Sequence, residues 1–160
     1  PLYSSAASDV YKRQAYDRGR RALFLMETPT DDNLFPCIDA LLGSYSTGEC
    51  VGIIEAKVRP FFGSLNRFRE EFRSEWMISK DKILKGREVA QKLAVPLYGL
   101  MGIPQDGLCL FKQITDNRGG WLMNLKSEVM TTAETINGGQ KTDDCYFIPM
   151  QDAIPYSIAW

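Results

Sequence analysis

Two apolar segments joined by a short polar turn constrain the fold of this chain more than any other feature. Residues 37–42 read CIDALL and residues 51–58 read VGIIEAKV, and the turn between them at 43–49, GSYSTGE, contains two glycines. Short apolar runs on either side of a glycine-containing turn are typical of a β-hairpin. The pattern therefore predicts two neighbouring strands of one sheet.

The second predicted strand carries two charged residues. Successive side chains of a strand point to opposite faces, so Glu55 and Lys57 share one face and the apolar residues beside them face a core. Asp39, 16 positions before Glu55, comes beside it across the turn. Two carboxylates that close repel each other unless a cation lies between them. The alternative is a surface ion pair between Glu55 and Lys57 on an exposed sheet face, with Asp39 unrelated.

The absence of histidine narrows the available chemistry. It excludes His-based zinc sites, Ser-His-Asp triads and Cys-His dyads. The four cysteines form no CxxC pair, which favours reduced, mostly buried thiols in a cytoplasmic protein over a zinc site. With a formal net charge of −1, contact with phosphate requires a local basic patch or a bound cation. Oxygen ligands without histidine favour Mg²⁺ or Mn²⁺, which would polarise a phosphate and activate water.

The remaining pattern predicts one mixed α/β (α+β) domain over residues 15–160, with a central mixed sheet flanked by helices. Helical spacing predicts a helix from Ser79 or Asp81 to about Ala94, and an apolar run predicts the end of an earlier helix over 16–27. Further strands are predicted over 76–79, 95–103, 108–115 and 145–149, with a strand or an irregular extended segment over 121–132. No window is apolar for the roughly 18 residues that a membrane span requires.

The start of the chain has a different character. Residues 4–14, SSAASDVYKRQ, resemble the in-frame translation of a sequencing-library adapter. This resemblance implies a metagenomic fragment that lacks its native N-terminus, with residues 1–14 forming a non-native disordered arm.

The spacing Asp39…Glu55-Ala56-Lys57 resembles the signature of the PD-(D/E)XK nuclease superfamily, which has the restriction-endonuclease-like fold. The resemblance covers about residues 16–115. It implies that Asp39 and Glu55 bind the metal together with the backbone carbonyl of Ala56, and that Lys57 supports the water nucleophile. The position before Asp39 is Ile38, where the family often has proline.

The same resemblance implies two auxiliary residues. Many family members carry a glutamate on the first helix, and Glu27 is the candidate here. The helix after the hairpin flanks the metal site in the family, and Lys82 is the residue expected to touch phosphate. For Lys82 the alternative is a solvated lysine on an exposed helix face.

The segment 59–74 is rich in arginine and phenylalanine and allows two interpretations. It lines the site and grips the phosphate backbone, or it forms a short amphipathic helix with phenylalanine toward the core. The candidate nucleic-acid contacts in this segment and on the following helix are Arg59, Arg67, Arg69 and Lys85.

These observations together predict a Mg²⁺-dependent nuclease that hydrolyses phosphodiester bonds in DNA. Its small size suggests a phage or mobile-element protein that acts as a homodimer or in a larger complex, with no membrane partner. The alternative is a module of the same fold that binds nucleic acid or protein without cutting. The sequence leaves open whether the substrate is DNA or RNA, its strandedness, and endonuclease against exonuclease action.

Overall fold

A computed structural model describes residues 23–27, 38–58, 63–131 and 142–157. Within these ranges the chain is a mixed α/β structure made mostly of strands. In chain order the elements are β1 (Leu23–Glu27), β2 (Ala40–Ser44), β3 (Cys50–Val58), α1 (Leu65–Glu71), β4 (Glu75–Ser79), α2 (Lys80–Lys92), β5 (Leu97–Ile103), a 3₁₀ turn (Pro104–Asp106), β6 (Leu108–Gln113), β7 (Lys126–Thr131), β8 (Thr142–Pro149) and β9 (Ile154–Ser157).

The larger sheet has six strands in the order β1-β2-β3-β5-β6-β9. β3 and β5 are parallel, and every other neighbouring pair in this sheet is antiparallel. The chain leaves β3, passes through α1, β4 and α2, and returns as β5, which is the crossover that parallel neighbours require. The predicted mixed sheet is therefore confirmed.

Helix α2 lies between the larger sheet and a second sheet of three strands in the order β4-β8-β7. Its buried residues Ile83, Gly86 and Ala90 recur at helical spacing, so one stripe of the helix faces the apolar interior. Around this stripe lies the main core, which includes Ile53, Phe68, Trp76, Ile78, Leu97, Met101, Ile114 and Ile148. Packing in this core holds the first turn of α2 against strand β3.

A smaller apolar cluster covers the opposite face of the larger sheet. It contains Ala40, Ile54, Leu100 and Cys109, with half-buried side chains packed around them. Because Ile53 belongs to the main core and Ile54 to this cluster, β3 is buried on both faces. Glu55, in the buried middle of β3, is therefore placed inside the protein.

The predicted hairpin is confirmed by the antiparallel pairing of β2 with β3, although β2 begins at Ala40, later than the pattern indicated. The helix predicted from Ser79 is confirmed as α2. The strands predicted over 95–103, 108–115 and 145–149 correspond to β5, β6 and β8. Of the described residues 121–131 in the next predicted segment, Lys126–Thr131 form a strand. No helix of the described ranges is long and apolar enough to cross a lipid bilayer.

The predicted helix over 16–27 is wrong for Leu23–Glu27, which forms β1 and pairs with β2. A short apolar run has no periodicity that separates a helix from a buried strand, and here the available edge of β2 decides. Glu27 therefore lies on a strand, with its backbone opposite Ala40. Residues 16–22 and the predicted arm of residues 1–14 lie outside the described ranges.

The segment after β3 contains a short helix, α1. The side chain of Ser64 caps it by accepting a hydrogen bond of 3.2 Å from the amide of Arg67. Phe68 is completely buried in the main core, while Arg67 and Arg69 are exposed. For Leu65–Glu71 this confirms the amphipathic-helix interpretation.

Candidate functional site

Glu55 is the one charged side chain that is buried among the described residues, at 1% exposure. Strand β3 directs it to the face on which α2 packs, because it lies two positions after the core residue Ile53. The alternative of an exposed Glu55–Lys57 ion pair is therefore wrong. Burying an ionised carboxyl costs free energy unless the group is protonated or paired with a positive charge. The burial of Glu55 therefore requires a compensating group nearby.

Asp39 immediately precedes β2 and meets β3 beside Glu55. Its amide donates a hydrogen bond of 3.1 Å to the carbonyl of Ile54. Its side-chain Oδ2 accepts a hydrogen bond of 2.7 Å from the amide of Ala56. The side chain of Asp39 is thus fixed against the stretch of β3 that contains Glu55.

The surroundings of Glu55 strongly perturb its ionisation. Burial, the largest cause, and the negative charge of Asp39 raise the pKa of Glu55 to about 7. The positive charges of Lys82 and Lys57 act in the opposite direction. Four charged groups therefore share one electrostatic environment: Asp39 before β2, Glu55 and Lys57 on β3, and Lys82 on α2. These four residues are called the Asp39–Glu55 site.

Lys82 approaches Glu55 from the first turn of α2. Its Nζ lies 3.2 Å from Oε1 of Glu55, and its side chain is 46% exposed. The second oxygen, Oε2, is buried and has no hydrogen-bond partner among the described residues. One oxygen of Glu55 is therefore paired, and the other is a buried acceptor without a hydrogen-bond partner in the described ranges.

The backbone of Ala56 also faces Asp39. The carbonyl of Ile54 and the amide of Ala56 both bond to Asp39, so the polar groups of alternate residues of β3 point to the β2 edge. The carbonyl of Ala56 points to this same edge, beyond the last pair of the β2–β3 ladder, Ala40–Ile54. The resemblance described above implies this carbonyl as a third metal ligand, together with Asp39 and Glu55.

Three of the other predicted residues, Arg67, Arg69 and Lys85, are described and lie outside this site. Arg67 forms an ion pair of 2.8 Å with Glu71, Lys85 forms one of 2.7 Å with Asp81, and Arg69 is exposed. Arg59 and the side chain of Glu27 lie outside the part of the chain that the structure describes. The backbone of Glu27, opposite Ala40, places this residue near the start of β2, where Asp39 lies.

Gly99 and Trp76 are site neighbours that sequence reasoning missed. Gly99 pairs with Glu55 in the parallel β3–β5 ladder. A Cβ atom on Gly99 would lie 2.5 Å from Cζ3 of Trp76, so the missing side chain makes room for the buried indole. A glycine inside a predicted apolar strand often marks a close approach of another group, so the sequence itself indicates this contact.

The donor set of the site is two carboxylates and a backbone carbonyl. The described residues contain no cluster of three or more His, Cys, Asp or Glu side chains that would enclose a metal. Mg²⁺ commonly binds one or two carboxylates and completes its octahedron with waters and substrate phosphates. The residues of the site therefore fit a Mg²⁺ ion that keeps several open positions.

A separate open cavity of about 540 Å³ is lined by Trp121, Leu122, Met123, Asn124, Leu125 and Tyr146. Arg87 lies 4.8 Å from the centre of the Trp121 ring, and Lys80 lies 5.6 Å from that of Tyr146. None of the four residues of the Asp39–Glu55 site lines this cavity. Arg87 and Lys80, which lie near this cavity, project from the side of α2 opposite to Lys82.

Comparison of the chain with family models, curated proteins and solved structures gave no match. The site is therefore interpreted from its own geometry and chemistry.

Proposed function

We propose that this protein is a Mg²⁺-dependent nuclease with a restriction-endonuclease-like core that hydrolyses phosphodiester bonds in DNA. The observation that carries the proposal is the buried carboxyl of Glu55, with the half-buried carboxylate of Asp39 beside it and one oxygen that has no hydrogen-bond partner in the described ranges. Two neighbouring carboxylates favour a shared cation. A divalent ion would also use that buried oxygen.

The arrangement of the elements supports the core. The hairpin β2–β3 presents the acidic residues, and the crossover through α2 returns the chain as β5, parallel to β3. The first turn of α2 then reaches Glu55 through Lys82. From β2 to β5 this order supports the proposed core, whereas β1 stands where the resemblance implies a helix.

Each residue of the chain has a distinct part in the proposal. Asp39 and Glu55 would hold the metal with the Ala56 carbonyl, and the ion would supply a Lewis acid for the scissile phosphate and lower the pKa of a bound water. Lys57, half-buried two positions after Glu55, orients the attacking water or stabilises the negative charge that develops on the phosphate. The Ala56 amide keeps Asp39 in place by its hydrogen bond.

The metal also accounts for substrate binding by a chain with a formal net charge of −1. Phosphate attraction then comes from the ion and the lysines around it rather than from the overall charge. We place the protein in the cytoplasm, because reduced, buried cysteines such as Cys109 and Cys145 are typical of that compartment. A phage or mobile-element origin and a dimer or larger complex remain part of the proposal.

The decisive experiment is a cleavage assay on plasmid, linear duplex and single-stranded DNA with Mg²⁺, with Mn²⁺ and with chelator. Asp39→Asn and Lys57→Ala should abolish cleavage while circular dichroism shows a folded protein. Lys92→Ala is the matched control, because Lys92 lies at the far end of α2 and pairs with Glu88. Wild-type cleavage by purified Asp39→Asn would refute the proposal, and chelator-insensitive binding without product would favour the non-cutting module.

A further inference from the structure

The ion pair between Lys82 and Glu55 is unequal. The carboxyl of Glu55 is almost fully buried, whereas the side chain of Lys82 is about half exposed. The lysine therefore reaches in from the solvent side and supplies a positive charge to a carboxyl that cannot reach water. Its flexible four-carbon stem allows the ammonium to turn back to solvent without moving α2.

A metal ion and the ammonium of Lys82 compete for the same carboxylate. Two cations a few ångströms apart repel each other, most strongly where the surroundings are apolar. The ammonium at Oε1 also leaves less negative charge for a ligand at Oε2. Binding of a divalent ion to Glu55 therefore weakens the contact with Lys82.

We propose that Lys82 is the counter-ion of Glu55 in the metal-free protein, and that a divalent ion displaces it so that its ammonium binds a phosphate of the nucleic acid. The inference rests on the proposed function and adds an order of events to it. Lys82 then contacts phosphate only in the metal-loaded protein. In the metal-free protein the charge of Lys82 thus neutralises Glu55. In the metal-loaded protein the same charge helps to hold the substrate.

The position of Lys82 fits both roles. It belongs to the first turn of α2, and the neighbouring lysine on that turn, Lys80, is held by Asp144 at 2.8 Å. Lysine binds phosphate as a mobile point charge rather than through a fixed planar geometry. A small rotation about its side-chain bonds therefore suffices to exchange a carboxylate for a phosphate next to it.

The first test measures Mg²⁺ and Ca²⁺ affinity by calorimetry at pH 8.5, without nucleic acid. This pH keeps Glu55 ionised even when the loss of Lys82 raises its pKa further. Lys82→Met should bind the ion about fivefold more tightly than the wild type, the factor expected for removing a competing half-exposed ion pair. Lys92→Met, which removes the same charge roughly 15 Å along the helix, should bind like the wild type.

These measurements separate the two proposals. Unchanged or weaker metal binding by Lys82→Met, in a protein whose wild type binds Mg²⁺, overturns the counter-ion role and leaves the nuclease proposal standing. A wild type that binds no divalent ion overturns both. Lys82→Gln repeats the measurement with a polar side chain, so that a folding defect of the methionine variant does not decide the result.

The second test measures the salt dependence of binding to a short DNA duplex, with Ca²⁺ and then with chelator. Each phosphate contact contributes about 0.9 to the slope of log affinity against log salt. Lys82→Met should lower this slope by about 1 in Ca²⁺ and leave it unchanged with chelator. An equal loss under both conditions, or no loss in Ca²⁺, overturns the displacement.

Discussion

The side chain of Asp39 fixes the end of the β2–β3 hairpin by accepting a hydrogen bond of 2.7 Å from the amide of Ala56, the residue between Glu55 and Lys57. This bond connects the segment before β2 to the strand that carries the other charged residues. Asp39 thus has a structural role beside its proposed role as a metal ligand. Substitutions at this position can separate the two.

Asp39→Asn and Asp39→Ala are expected to differ in stability and to agree in activity. The asparagine carbonyl can still accept the Ala56 hydrogen bond, whereas alanine leaves that amide without its partner and should lower the free energy of unfolding by about 2 kcal/mol. Both changes remove the carboxylate and should abolish metal-dependent cleavage. Urea denaturation measures the stability of each variant, and the plasmid assay measures its cleavage activity. Equal stabilities of the two variants would show that the hydrogen bond contributes little.

The raised pKa of Glu55 predicts how stability depends on pH in the metal-free protein. Because the folded-state pKa of about 7 lies above the ordinary value of 4.5, the folded protein binds more protons than the unfolded chain between these pH values. Glu55 therefore lowers stability as pH rises through this window, by about 3 kcal/mol in total. In Glu55→Gln this loss should be absent.

The measurement is urea denaturation from pH 4 to 8 in chelator. The stability of Glu55→Gln relative to wild type should increase by about 3 kcal/mol across the range. Glu49→Gln, which removes a carboxylate from the exposed turn between β2 and β3, is the control. Parallel profiles for wild type and Glu55→Gln would contradict the buried, perturbed carboxyl.

Metal affinity should follow the ionisation of the same carboxyl. A divalent ion binds the deprotonated form, so binding must displace the proton that Glu55 holds below pH 7. Mg²⁺ affinity is expected to rise about tenfold between pH 6 and pH 8 and to level off above, with proton release on binding below pH 7. Calorimetry in buffers of different ionisation enthalpy measures both; a pH-independent affinity would place the ion elsewhere.

Much of the site could be predicted from the sequence because it depends on strand alternation. A period of two puts Glu55 and Lys57 on one face, and the glycine-containing turn brings Asp39 beside them. The helical spacing after Ser79 likewise predicted α2, from which Lys82 reaches Glu55. Strand alternation and helical spacing depend on residues that are close in sequence, so they can be predicted without knowledge of the tertiary contacts.

Contacts between distant segments could not be predicted in the same way. The apolar run around Leu25 has no clear period and predicts a helix, and its pairing with Leu42 makes it a strand instead. β9 is a short edge strand containing Pro155, and it forms through its pairing with β6. The burial of Glu55 depends on α2 and the second sheet, which no spacing in the hairpin reveals.

Gly99→Ala is expected to destabilise the protein because the space beside β5 is filled by Trp76. The added Cβ would lie 2.5 Å from Cζ3 of the indole and 3.1 Å from Cδ1 of Ile114. Neither neighbour can move into solvent, since both side chains are completely buried. Overpacking of this kind costs about 1–3 kcal/mol, which urea denaturation and the near-ultraviolet signal of Trp76 will detect.

A double-mutant cycle with Trp76→Phe tests whether this clash is the cause. Phenylalanine lacks the outer part of the indole, so Gly99→Ala should cost less in the Trp76→Phe background than in the wild type. Because Gly99 is the ladder partner of Glu55, a displaced indole would also change the environment beside the buried carboxyl. Equal costs in both backgrounds would mean that strand β5 itself, rather than the indole, resists the extra methyl group.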